Sequence, residues 1–567
     1  AWLSLGPRVR FCHKTAGMPA EGHVSYGDDA SEPTDASNAL DISTDANDVD
    51  IVERTRWPAQ RLQITLRTLE MFKKKARLKR HSLIRGTCFS VVMDRFGCIL
   101  ANSEGSAETY KLSSQVGELD TFISHNWSTP RIPKFLVLAL HFNLQFSSCM
   151  TALIIIVIST LSSLHVLPSS FEVPGGHKRA PCLWNTVLAN FALMFFLLFG
   201  HKIQRVVLGR TRPCFLDKTC IHQTDEVLKQ QGIMSLSLFL TCSERMLVVF
   251  RDTYLRKIWT VFELASFISM HPEKEVVLIP ASMPRFFLSI IWLDWLSMLS
   301  ILLHWILSDQ HYDWLQHVIV VCLEFGTCMF QRNVARERYS ISTQVTNFDI
   351  RLAQCFCEND RPFVEGSVVA LMKHIERVPA SADDHLALDS FNELVATELP
   401  AALESCFGRV GMRYRQVLAM RFSRLGLGMD FLCFLLSKGA DSRQVGIQLA
   451  STSMFFFCWH PLVFALTAWV SAQALWVHGH LEWAFMFAFA IVLGLVERDF
   501  LERRFSDLCK QAVQSDVALV GVLCSAVALL TLTRVVYRLP RRRAVEKHRI
   551  TVEMALLDHT CATARCR

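Results

Sequence analysis

The chain has 567 residues, 51% of them hydrophobic and 20% charged, with a mean hydropathy of +0.26. That balance is high for a soluble protein and turns the question to where the apolar residues cluster. Nineteen scattered cysteines, odd in number and often inside apolar runs such as Leu519 to Leu532, exclude a disulfide scaffold and read as reduced thiols. A net charge of +7 with no recognised binding motif excludes nucleic acid as the expected partner.

Residues 1–53 open the chain with an acidic tail. Between Thr15 and Glu53 it carries about ten acidic residues and no Lys or Arg, too little apolar area to repay ordering, so disorder is expected. Ala1 to Gly17 has no long apolar core, and no signal peptide is expected there. The charge then reverses. Residues 54–84 read as a basic amphipathic helix, with Leu62, Leu66, Leu69, Met71, Phe72 and Leu78 at loosely helical spacing. Arg54 to Arg80 is expected to lie on anionic lipid headgroups, at about 1 kcal/mol per basic residue. The alternative is a solvated helix paired with the acidic tail.

A spanning helix needs about 20 apolar residues to cross about 30 Å of hydrocarbon. Seven runs meet or approach this: Ser147 to Leu167, Cys182 to Gly200, Arg285 to Leu307, Trp314 to Gln331, Ser453 to Trp476, Leu481 to Val496 and Val517 to Val536. They predict a multi-pass α-helical membrane protein with about six to eight spans, an even number being expected. Its two early hairpins fall at 146–200 and 284–331 and its C-terminal spans within 445–537, with a basic tail at 538–567. Basic residues flanking the early hairpins (Arg131, Lys134, Lys202, Arg205, Arg210, Arg212, Arg332, Arg336) place the bulk of the chain on the cytoplasmic side. Residues 332–440 are expected to form a cytoplasmic helical region.

Between these runs lie short apolar strands alternating with helices. Leu119 to His125, Cys214 to Asp217, Met246 to Phe250 and Val276 to Pro280 read as strands; Pro133 to Leu144, Asp225 to Thr241 and Tyr254 to Met270 read as helices. The alternation predicts βαβ units and an open parallel sheet of about four strands. This α/β domain is split into 118–145 and 201–281 by the first hairpin, which returns the chain to its starting side. Ligands of such sheets bind outside the carboxyl ends of the strands. Ser124, His125, Asn126, Trp127, Asp217, Arg251 and Asp252 are the residues emptied there, a set suited to a polar, flat ligand; polar strand ends are also simply how strands leave a core.

Phe122-Ile123-Ser124-His125, then Phe215-Leu216-Asp217, then Tyr254-Leu255-Arg256-Lys257-Ile258-Trp259-Thr260-Val261-Phe262-Glu263-Leu264 resemble the ordered motifs of a TIR domain: its F-I-S strand, its F-x-D strand end and its Y-x-x-x-x-W-C-x-x-E-L helix. The resemblance implies a flavodoxin-like sheet and two roles, self-association in signalling and cleavage of the nicotinamide glycosidic bond of NAD, with NAD as substrate rather than cofactor. It implies Glu263 as the catalytic carboxylate, since losing nicotinamide develops oxocarbenium charge that a fixed carboxylate stabilises. The strand-end residues Ser124, His125, Asn126, Trp127 and Asp217 are then the expected ligand contacts. Thr260 stands where the family has Cys, and the hairpin replaces the loop that usually flanks the nucleotide site, which would set the site at the bilayer surface.

Arg256, Thr260, Glu263 and Ser266 also share one helix face, so a solvent-facing polar stripe is the competing reading of Glu263. Cys214, Cys220 and His222 lack a second ligand pair, and no metal site is expected. The sequon Asn126-Trp127-Ser128 falls on the cytoplasmic side, so no glycan is expected. Asp294, His304, His317 and Glu324 lie inside the third and fourth spans and suggest either an ion path or a buried structural pairing. A non-catalytic scaffold and a channel or transporter are therefore the rival functions.

Overall fold

The computed structural model describes residues 84–537 apart from 173–178, 210, 272, 308–312, 356–357, 408–409, 478 and 497–503; for 298–317, 401–409 and 497–506 no side chain is described. The expected acidic tail, the basic helix up to residue 83 and the basic tail from 538 lie outside the described residues.

The first described element is β1 (Arg85–Cys88), followed by α1 (Phe89–Gly97), α2 (Ala107–Lys111), β2 (Ser113–Gln115) and β3 (Leu119–His125). After α3 (Arg131–Phe142) come two long apolar helices, α4 (Leu144–Ser163) and α5 (Trp184–Leu208), joined through the short strands β4 (Ser170–Glu172) and β5 (Arg179–Pro181). The chain re-enters the sheet with β6 (Pro213–Phe215) and α6 (Asp217–Cys220). It continues through α7 (Glu226–Met234), α8 (Leu236–Thr241), β7 (Ser243–Phe250), α9 (Ile258–Met270) and β8 (Glu275–Pro280). The helix expected from Asp225 to Thr241 is thus two helices, broken at Ser235.

The sheet has six strands in the order β2-β1-β6-β3-β7-β8. The four expected strands are parallel to one another, with Phe122 beside Phe215 and Met246, and Val248 beside Leu278. Their order, second-first-third-fourth along the chain, is that of flavodoxin-like sheets without the last strand. The expectation of an open all-parallel sheet of four strands is corrected: β1 and β2 add an antiparallel edge, Thr87 lying opposite Cys214. These strands escaped a hydrophobic reading because they are short and polar. Arg85 ties them, its Nε donating to Ser113 Oγ at 2.8 Å.

Alternating side chains of a strand point to opposite faces, and both faces are buried here, which explains the continuous apolar runs. Phe122, Met246, Val248, Phe250 and Leu278 belong to one core, closed by Phe239 and Leu240 of α8 and Val261 and Phe262 of α9. Ile123, Leu247, Val249, Val277 and Ile279 belong to a second core with Phe135 and Leu138 of α3. That second core runs on without a break to Ala189, Leu193 and Leu197 of α5 and to Phe287 and Ile291 of the next long helix, α10 (Met283–Leu307).

The remaining helices are α11 (Asp313–Thr346), α12 (Arg361–His374), α13 (Asp384–Phe407), α14 (Tyr414–Ala419), α15 (Phe422–Ser437), α16 (Ser442–Met454), α17 (His460–Gln473), α18 (His480–Leu495), α19 (Arg504–Gln514) and α20 (Asp516–Tyr537). The stretch 332–440, read from sequence as a region of its own, is divided between the two cores. Val364, Val368, Phe391 and Leu394 complete the first, while Val417 and Phe422 join the second. Gly426 of α15 sits against the α5 backbone, where an added Cβ would meet Asn185 O at 2.7 Å. Beside it Asp430 caps α5, accepting from the backbone N–H groups of Asn185 and Thr186, both at 2.9 Å.

Five helices among the described residues are long and apolar enough to cross a membrane: Leu144–Ser163, Trp184–Leu208, Val318–Thr346, Ser442–Gln473 and Asp516–Tyr537. The fourth joins α16 to α17 through a π-helical turn at Phe455–Trp459. The run Leu481 to Val496 forms a shorter apolar helix, α18.

Candidate ligand site at the carboxyl rim of the sheet

β3 delivers Ser124 and His125 to its carboxyl end, and the turn that follows carries Asn126 and Trp127. Ser124 is buried and its Oγ donates to Glu263 Oε2 at 2.6 Å. It also shares a 2.6 Å hydrogen bond with the hydroxyl of Tyr254, which is fully buried. Glu263 reaches this point because α9 starts beneath the rim, its first turn held by Thr260, whose Oγ1 donates to the carbonyls of Tyr254 and of Lys257, the latter at 3.0 Å. Glu263 therefore faces inward to β3, and the solvent-facing stripe does not describe it. Although the residue keeps some accessible surface, its carboxyl is enclosed. Burial pushes its pKa up to about 8; the Ser124 hydrogen bond opposes this and the Asp217 charge adds to it. Near neutral pH the group is mostly protonated.

A second cluster forms around Trp127. Its Nε1 donates to Asp217 Oδ2 at 2.8 Å, and Asp217 Oδ1 accepts from the Lys218 N–H at 2.7 Å at the start of α6. Two ammonium groups attend the indole: Lys134 Nζ lies 4.4 Å from the ring centroid and Lys218 Nζ 5.8 Å. Lys218 Nζ also donates to Asn102 Oδ1 at 2.7 Å. Burial of Lys134 lowers its pKa to about 8, against the pull of Asp217. This residue was counted from sequence among the flanking cations, and it is in fact 1% exposed inside the site.

His125 packs its ring edge-on to Trp127, with centroids 4.4 Å apart. Burial lowers its pKa to about 4, so the imidazole is neutral, and its Nε2 has no hydrogen-bond partner. Asn126 is occupied in the turn, donating to Thr253 Oγ1 at 3.1 Å and accepting from the Ser128 N–H at 3.0 Å. Arg251 closes the same turn through the Ser128 carbonyl at 3.5 Å.

At this rim Ser124, Tyr254 and Glu263 form one hydrogen-bonded group and Trp127, Asp217 and Lys218 another, linked electrostatically through Asp217, while His125 packs on Trp127 and Asn126 is held by Thr253 and Ser128. Sequence reasoning missed Tyr254, Lys134 and Lys218 as members. Tyr254 stood inside the helix motif and Lys218 directly after Asp217, the two signals on which they were legible. Cys214 and Cys220 are buried thiols whose pKa values burial raises, and His222 Nδ1 accepts from the Asp225 N–H at 2.9 Å.

The rim lies on the edge of the sheet away from the apolar hairpin. α3 runs back from β3 until His141 nears Arg212 and Arg245, at the starts of β6 and β7. α4 leaves and α5 returns at this amino-terminal edge. β3 has seven residues, so about 20 Å separates the two edges at 3.3 Å per residue. The second long apolar helix pair begins at the opposite edge, α10 starting at Met283 just past the carboxyl end of β8.

Asp294 and Glu324 are buried in the helical bundle. Asp294 Oδ1 accepts from Arg421 at 2.8 Å and Arg424 at 3.0 Å, Ser423 donates to its other oxygen, and Glu324 lies 3.6 Å from Arg421. Arginines hold both acids; the side chains of His304 and His317 lie outside the described residues.

Fold and rim together define a helical protein with a mixed α/β sheet and polar groups gathered at its carboxyl edge. No protein-family model, curated protein or solved structure matches this sequence.

Proposed function

We propose that the chain is a multi-pass membrane protein whose split α/β domain is a TIR-like module acting in signalling by assembly from the cytoplasmic face. The observation that carries this reading is the strand order β6-β3-β7-β8, with the apolar hairpin inserted between β3 and β6. The membrane part rests on the five long apolar helices. Asp294 argues for a structural bundle rather than an ion path, since both of its oxygens are engaged by Arg421, Arg424 and Ser423. Self-association is tested by photobleaching steps of fluorescently tagged full-length chain in membranes: assembly predicts two or more steps per spot, and single steps throughout would refute it.

NAD cleavage is the second reading, supported by Glu263 lying beside Ser124 at the rim. A mostly protonated carboxyl stabilises an oxocarbenium ion poorly, so this activity requires Glu263 to ionise. Nicotinamide release from NAD by detergent-purified protein would then rise through about pH 8 and vanish in Glu263→Ala. Activity surviving in Glu263→Ala would sink the assignment, and no release at any pH leaves assembly alone.

A further inference from the structure

A cavity of about 860 Å³ lies outside the rim, between α11, α17, α18 and α20. Its volume is within the range of about 300–1,000 Å³ typical of small-molecule sites. Its walls are almost entirely apolar, Leu462, Leu466, Leu529 and Leu532 among them. Three of the four helices contribute segments long and apolar enough to span a membrane, and the lining residues Trp469 and Leu532 are 62% and 50% exposed. The trough thus opens sideways, toward where lipid tails would lie.

Its polar side chains are few. Gln331 is 2% exposed, lines the cavity, and its Nε2 has no hydrogen-bond partner. Trp459 Nε1, also on the lining, is buried and equally unpartnered. Arg338 and Tyr339 stand about two turns further along α11, just before Ile341 and Val345 enter the core of the α/β domain. That is the level at which α11 leaves the apolar bundle. Two unsatisfied buried donors on the wall, with a guanidinium about two turns along α11, call for an acceptor-rich, negatively charged group at the mouth of an apolar trough.

We propose that this trough binds an anionic glycerophospholipid from the surrounding bilayer. One acyl chain lies along Leu466 and Leu532, and the phosphodiester oxygens accept from Gln331 Nε2 and Trp459 Nε1 near Arg338. The headgroup then sits where the α/β domain meets the bundle, so the lipid would staple α11 to α17 and α20.

The site rests on the membrane-spanning reading, and the two fail separately. Release of the full-length chain from membranes by alkaline carbonate would overturn both. For a retained chain, the test is reconstitution into nanodiscs containing phosphatidylserine or phosphatidylcholine with a diazirine on one acyl chain, then irradiation and peptide mapping. The expected result is label on α17 and α20 within the trough, stronger for the serine lipid. Ala472 lines the cavity and is exposed, so Ala472→Trp can fill the trough from its open side and abolish labelling. Arg338→Gln should lower serine-lipid labelling about fivefold and leave choline-lipid labelling unchanged. Thermal unfolding of both variants near the wild-type midpoint establishes that they fold. Label outside the trough, equal labelling of wild type and Ala472→Trp, or equal labelling by the two lipids would overturn the proposal.

Discussion

Two enclosed carboxyl groups in this protein are handled in opposite ways. Asp294 is fully buried and faces two arginines and a serine hydroxyl, a set that suits a fixed negative charge. Glu263 accepts from the Ser124 hydroxyl, which in turn bonds that of Tyr254, and burial wins, so the group holds its proton up to about pH 8. The difference lies in the partners rather than in depth. A buried acid with cationic partners is a structural tie, whereas one with neutral partners can change state within the physiological range.

The largest effect should come from breaking the tie. Asp294→Ala removes the carboxylate that Arg421, Arg424 and Ser423 share in the bundle and should cost about 3–5 kcal/mol, read as a large fall in the thermal midpoint of the detergent-purified chain. A midpoint unchanged from wild type would place Asp294 in the same class as Glu263 and dissolve the contrast.

Glu263 offers the sharper test because its effect depends on pH. Its folded pKa lies above its unfolded value, so its contribution is fully present below about pH 4.5 and is lost as pH rises through about 8. Stability should fall by about 2–4 kcal/mol across that window, and Glu263→Gln, which keeps a neutral hydrogen-bonding group, should flatten the fall. Denaturant titrations at pH 5 and pH 8.5 read the difference; parallel slopes for wild type and variant would contradict it.

Asp430 is an intermediate case, an acid held by backbone donors at the start of α5. Asp430→Ala should cost about 2 kcal/mol, since two N–H groups and the Thr186 and Asn185 side chains lose their acceptor. Hydrogen exchange at Asn185 and Thr186 should quicken in that variant while the rim stays protected. Tyr254→Phe is the smallest change, about 1 kcal/mol, because it removes one hydrogen bond and leaves Ser124 with Glu263. The same denaturant titrations measure it.

Much of the fold was legible in the sequence. Continuous apolar runs marked the four parallel strands, and the same property marked the long helices. The edge strands were not legible, because Arg85–Cys88 and Ser113–Gln115 are held by contacts between residues 28 apart rather than by their own pattern. Nor did amphipathic spacing in 361–407 reveal that Val368 and Phe391 close the first core, since a periodic face says that something covers it but not what. At the rim, strand ends pointed to Ser124, His125, Asn126, Trp127 and Asp217, and the motif resemblance pointed to Glu263. The protonation of Glu263 depends on its being enclosed against Ser124 and Tyr254, a consequence of packing across the fold.

The central claim is that one α/β domain is built from two pieces separated by a membrane hairpin. It is tested most directly by single-cysteine labelling of full-length chain in sealed, oriented vesicles with an impermeant maleimide, in a background whose exposed native thiols are replaced by serine. Val166→Cys reports the hairpin tip and Val227→Cys the domain surface, positions 66% and 67% exposed. The account predicts that the two label from opposite sides of the membrane; labelling of both from the same side would contradict it.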